Sequence, residues 1–102
     1  MTKNLQGVNI KDFMSFSRRS FCEDVQSGVL VVDGAMGTML YEHGAFLNRS
    51  FEELNSTDPK LVFQIHSAYV DAGADIIESN TFGANRMKLG NFGLQNEVAN
   101  LN

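Results

Sequence analysis

Two short polar runs carry the chemistry open to this chain. Asp33-Gly34 follows the apolar run Val29 to Val32, and Glu78-Ser79-Asn80-Thr81 follows Ile76-Ile77. Each run comes directly after β-branched residues, which favour extended chain. If the apolar runs are parallel strands, the polar residues fall at their carboxyl ends, where α/β folds bind ligands. Carboxylates there hold an ammonium, while main-chain N–H groups and hydroxyls hold a carboxylate, so the set suits a zwitterion. The candidate binding residues are therefore Asp33, Gly34, Glu78, Ser79, Asn80 and Thr81. Plainer readings stand beside these. Asp before Gly is a common turn pair. Glu78, costly to bury alone, either meets a ligand or makes an internal hydrogen bond. Asn80 and Thr81 either finish the strand end or touch the ligand.

Other chemistries find less support. Gly34-x-x-Gly37 after a strand resembles part of a phosphate loop, but it lacks the Lys-Ser/Thr of a P-loop and the full dinucleotide pattern. His43, His66 and the single cysteine, Cys22, lack metal-ligand spacing, so no metal is expected in this chain. His66 reads as a packing or surface histidine, and Cys22 as a small, half-buried apolar residue on a helix. Asn48-Arg49-Ser50 and Asn55-Ser56-Thr57 match the glycosylation pattern by chance, because Met1 to Lys11 lacks the apolar core of a secretory signal. One cysteine cannot form an internal disulfide, which points to a reducing, cytoplasmic setting.

The elements that position these residues alternate. Apolar spacing predicts a helix from Phe13 to about Val25, stopped by Gly28. The continuous run Val29 to Val32 predicts a strand buried on both faces. Met39 to His43 predicts a short helical turn ending at Gly44. Residues 45–57 form a connection in which Ser50 and Glu53 fit a capping box. Asp58-Pro59 is a strong start signal for a helix carrying Leu61, Ile65, Ala68, Tyr69 and Ala72 on one face and stopping at Gly73. Ala74 to Phe82 predicts the second strand. Helical pieces follow at Asn85 to Phe92 and from Leu94 onward, the last with Leu94, Val98 and Leu101 on one face.

This order predicts an α/β chain with parallel strands joined by right-handed crossovers. Residues 1–12 read as a mobile leader, and 13–102 as one incomplete domain, since two strands buried on both faces need more cover than 102 residues provide. The composition is that of an ordinary soluble chain, with 43% hydrophobic and 20% charged residues and a net charge of −4. That excludes disorder as the default. The acidic balance argues against a nucleic-acid partner, and no apolar stretch approaches a membrane span.

The motifs VVDGAMGTML, from Val31 to Leu40, and AGADIIESNTFGAN, from Ala72 to Asn85, resemble the first two strand-and-loop signatures of the homocysteine S-methyltransferase family. NRSFEELN and LVFQIHSAYVDAGA between them strengthen the likeness, which runs from about Gly28 to the last residue and is similar to both the reductase-fused and the cobalamin-dependent branches. It implies a (β/α)₈ barrel of which this chain supplies the first two strands with flanking helices, truncated at its C-terminus. It also implies methyl transfer to homocysteine, giving methionine, from methyltetrahydrofolate, methylcobalamin or S-methylmethionine. On this pattern Asp33, Gly34, Glu78 and Ser79 hold the amino-acid end of homocysteine, and zinc on three cysteine thiolates holds its sulfur. Those cysteines are absent here. The resemblance implies that they lie beyond Asn102, and Cys22 lies outside the matching motifs, so the chain is expected to be inactive alone. Ser79 stands where the family commonly has Thr, which keeps the hydroxyl. The competing expectations are a short non-catalytic protein that docks on a full-length barrel, and an autonomous small α/β ligand-binding domain.

Overall fold

The computed structural model describes residues 20–46 and 48–102. Within them the chain forms helices α1 (Phe21–Ser27), α2 (Gly37–Glu42), α3 (Leu54–Thr57), α4 (Pro59–Asp71), α5 (Arg86–Gly90) and α6 (Val98–Leu101). The longest, α4, is bounded as its sequence requires. The Asp58 carboxylate accepts the Leu61 N–H at 3.3 Å, and Pro59 fills the first helical position, where no N–H is needed. At the other end Gly73 takes a φ of 110°, open to glycine without strain. The Gly73 N–H then donates to Val70 O and the Ala74 N–H to Tyr69 O, closing the last turn. Gly44, with a φ of 92°, ends α2 in the same way, through Gly44 N–H to Tyr41 O and Ala45 N–H to Leu40 O.

Helix α4 packs against α2 and α3, and α3 against α6. Leu40 of α2 and Val62 and Ile65 of α4 are buried. A second apolar group joins Ala84, Leu89 and Leu101, with Leu94 and Val98 packed against it. The helical face expected of Leu94, Val98 and Leu101 is thus the face that is covered. Asn102 caps α6 from behind. Its side-chain amide donates to Val98 O at 2.7 Å and to Ala84 O at 2.8 Å, which fastens the helix end to the start of the α5 segment.

The strands expected at Val29 to Val32 and Ala74 to Phe82 are not seen. Among the described residues there is no sheet, only an isolated parallel bridge between Val32 and Ile76. The α/β assignment and the first two strands of a (β/α)₈ barrel are therefore corrected to a mostly helical chain with two extended segments touching at one point. The hydrogen bonds give the reason. Ile76 N–H donates to Val31 O and Asp33 N–H to Ile76 O, which makes the bridge. The donors that would extend it are taken by side chains instead. Val31 N–H donates to Asp75 Oδ2 at 3.0 Å, and Glu78 N–H to Asp33 Oδ2 at 3.1 Å. A carboxylate stands at each end where a ladder carbonyl would stand. The expected burial on both faces also fails, since Val29 is 89% and Val31 53% exposed.

Three smaller expectations change as well. Gly28 is extended, with a φ of 171°, and does not make a left-handed stop. Cys22 is exposed on α1, a helix with no buried residue. Ser50 and Glu53 do not form a capping box: Ser50 donates to Glu52 Oε2 at 2.8 Å, while Glu53 pairs with Arg49 at 3.1 Å. The leader at 1–12, the secretory-signal stretch and the helix start at Phe13 lie outside the described residues.

Candidate functional site

The bridge brings the two polar runs side by side. Asp33 and Gly34 leave one extended segment, Glu78, Ser79 and Asn80 leave the other, and all five line one groove of about 350 Å³. Thr81 does not line it, but its hydroxyl lies 2.7 Å from the Ser79 hydroxyl, either one donating. One proton of that pair is therefore spent and one is left to offer. Asp33 engages one carboxylate oxygen with Glu78 N–H, and its Oδ1 has no hydrogen bond among the described residues. The Glu78 side chain is exposed and likewise makes none, so its internal hydrogen bond finds no partner here. Gly34 N–H donates to no group among the described residues. The groove thus offers carboxylate oxygens on one side and N–H and O–H donors beside them.

Close approaches hold this arrangement. A Cβ on Gly34 would meet the Tyr69 hydroxyl at 3.0 Å, and that hydroxyl donates to Ala35 O at 2.6 Å. Helix α4 is thereby tied to the turn that carries Asp33. On the other wall, Glu52 Oε1 accepts Gly83 N–H at 2.7 Å, and a Cβ on Gly83 would stand 2.6 Å from that oxygen. Sequence reasoning missed Glu52 and Phe51 as lining residues, because nothing local marks them. The close approach of Glu52 to Gly83 is the feature that explains a glycine there.

A second groove of about 210 Å³ shares Phe51, Glu52 and Phe82 with the first. It carries two cations, but both are engaged. Arg49 pairs with Glu53, and the Lys88 ammonium lies 4.4 Å above the centre of the Phe82 ring.

Among the described residues no three His, Cys, Asp or Glu side chains converge to hold a metal ion. The chain's single cysteine is exposed on α1 and does not line the groove. A zinc site built from several thiolates does not fit the side chains described here. The expectation that such thiolates lie beyond Asn102 falls outside the described residues. No helix among the described residues is long and apolar enough to cross a membrane.

Comparison with known proteins agrees with the motifs. The chain is 39% identical over 85 residues to methionine synthase of Mycobacterium leprae (strain TN), a match covering 78% of the chain. It is 40% identical over 79 residues to methionine synthase of Mycobacterium tuberculosis (strain ATCC 25618 / H37Rv), covering 72% of the chain. The matched part is 7% of the length of each relative. The family described as homocysteine S-methyltransferase matches residues 30–102, which include both polar runs and every residue lining the groove. The chain belongs to the homocysteine S-methyltransferase family.

Proposed function

We propose that the groove holds the amino-acid end of homocysteine and that the chain serves methyl transfer to the homocysteine sulfur, giving methionine. The observation that carries this reading is the pair of carboxylates at the groove, where Asp33 Oδ1 and the Glu78 side chain make no hydrogen bond among the described residues. Two such groups at one groove suit a cation, and an α-ammonium supplies it. The Gly34 N–H and the remaining hydroxyl proton of the Ser79–Thr81 pair donate to the α-carboxylate. With both ends of the zwitterion held, the sulfur is the end left to react with the methyl donor. The donor is methyltetrahydrofolate, methylcobalamin or S-methylmethionine, on the family's pattern.

The contribution of these residues is placement, which removes the entropy of finding the reacting geometry. Activation of the thiol is assigned to none of the described side chains. A reducing cytoplasm suits both the substrate thiol and the exposed Cys22. Isothermal titration with L-homocysteine tests the reading. Saturable binding of one ligand per chain is expected, and absence of saturable heat at millimolar ligand overturns it.

A further inference from the structure

The wall of the groove contains a chain of amides whose orientation is fixed by their surroundings. Asn55, on α3, directs its Nδ2 to two main-chain carbonyls, Asn80 O at 2.7 Å and Leu101 O at 2.9 Å. Carbonyls only accept, so this end of Asn55 must be the NH₂ group. Its Oδ1 is then the end facing Asn80, where it accepts from Asn80 Nδ2 at 2.9 Å. The second proton of Asn80 Nδ2 goes to Phe51 O, also at 2.9 Å. Both protons of the Asn80 amide are therefore used, and the amide cannot flip without setting oxygen against oxygen twice.

One polar atom of this network is left over. Asn80 Oδ1 has no hydrogen bond among the described residues, although Asn80 is only 9% exposed. Asn80 lines the groove that holds Asp33 and Glu78. Its oxygen can only accept.

We propose that Asn55 is a positioning residue for the ligand's ammonium. It orients the Asn80 amide so that Oδ1 faces the groove and accepts an ammonium proton beside the carboxylates of Asp33 and Glu78. This rests on the reading of the groove as the homocysteine amino-acid site. Asn55 touches no ligand itself. It acts through Asn80, and its grip on the Leu101 carbonyl ties that orientation to the end of α6. An ammonium carries three donors, and Asp33, Glu78 and Asn80 supply three acceptors for them. A ligand with hydrogen in place of the ammonium leaves Asn80 Oδ1 unpaired.

The test compares L-homocysteine with 4-mercaptobutanoate, the same molecule without its amino group. Dissociation constants for both are measured by titration calorimetry on the full chain and on Asn55→Ala and Asn80→Ala, with circular dichroism to verify folding. Asn80→Ala removes the free oxygen and keeps the main-chain carbonyl that Asn55 holds. It should weaken homocysteine roughly tenfold, as expected for a hydrogen bond to a charged group, and leave 4-mercaptobutanoate within twofold. Asn55→Ala should shift the same ratio by roughly three- to tenfold. A merely structural role for Asn55 would weaken both ligands alike, and that result overturns the proposal. If Asn55→Ala does not fold, an unchanged ratio in Asn80→Ala overturns it equally. Failure of the unsubstituted chain to bind homocysteine overturns the site reading itself, an outcome distinct from equal weakening of two ligands that do bind.

Discussion

Replacing Asp33 by Asn separates the two tasks of this side chain. One oxygen accepts Glu78 N–H at 3.1 Å beside the bridge, and the other makes no hydrogen bond among the described residues. An Asn at this position keeps one oxygen, so it can still accept from Glu78. The fold should lose little, within about 1 kcal/mol, since the exchanged bond is one of several at the bridge. Homocysteine loses more. The remaining amide NH₂ cannot accept from an ammonium and sets its own donors against it. A hydrogen bond to a charged group contributes about 1.5–3 kcal/mol, which corresponds to a roughly ten- to hundredfold rise in dissociation constant. The assay is calorimetric titration with homocysteine, alongside urea unfolding of the same samples. An unchanged dissociation constant would return Asp33 to a turn residue. A loss of stability as large as the loss of binding would refute the division of labour between its two oxygens.

Other perturbations follow from the same geometry. Gly83→Ala places a Cβ 2.6 Å from Glu52 Oε1. The Glu52 carboxylate ends a flexible side chain and can swing aside, so the cost is that of its bond to Gly83 N–H, about 0.5–1.5 kcal/mol, seen as a lower thermal midpoint; an unchanged midpoint would show that this bond adds nothing. Tyr69→Phe deletes the 2.6 Å bond to Ala35 O and should cost about 0.5–1.5 kcal/mol in urea unfolding without affecting α4 helicity. Asp58→Ala removes the cap on Leu61 N–H and should lower stability by about 1 kcal/mol, with Asp58→Ser recovering most of it. Metal analysis after dialysis should find zinc well below one atom per chain, because no ligand group converges among the described residues; stoichiometric zinc would contradict this.

What the sequence revealed divides by the range of the interactions involved. Helix α4 was legible at both ends because its signals are local: Asp58 reaches three residues ahead, and Gly73 closes the turn just behind it. The polar runs were legible as a candidate site because each follows an apolar run, and the structure does bring Asp33, Gly34, Glu78, Ser79 and Asn80 to one groove. The strands were misread because β-branched residues favour extended chain, whereas a sheet depends on partners distant in sequence. Val29 to Val32 is extended in type yet largely exposed, and carboxylates occupy the positions of further rungs. Asn55 and Glu52 were invisible for the same reason, since they act across 25 and 31 residues. The capping-box pattern at Ser50 and Glu53 misled because Glu52, one residue nearer, captures the serine hydroxyl, while Glu53 goes to Arg49.

The paired carboxylates at the bridge work like a two-pin key. Asp75 meets Val31 and Asp33 meets Glu78, across 44 and 45 residues. Sliding one segment by a single residue would bring Ala74 or Ile76 to Val31, and Val32 or Gly34 to Glu78. None of these has a side-chain acceptor, so both pins miss at once. Short pairings are ordinarily free to slip, and this one carries its own check on alignment. The same alignment sets the free oxygen of Asp33 beside Glu78. On the proposed reading of the groove, a mispaired chain would lose its acceptor for an ammonium, so ligand binding would also report how the two segments came together.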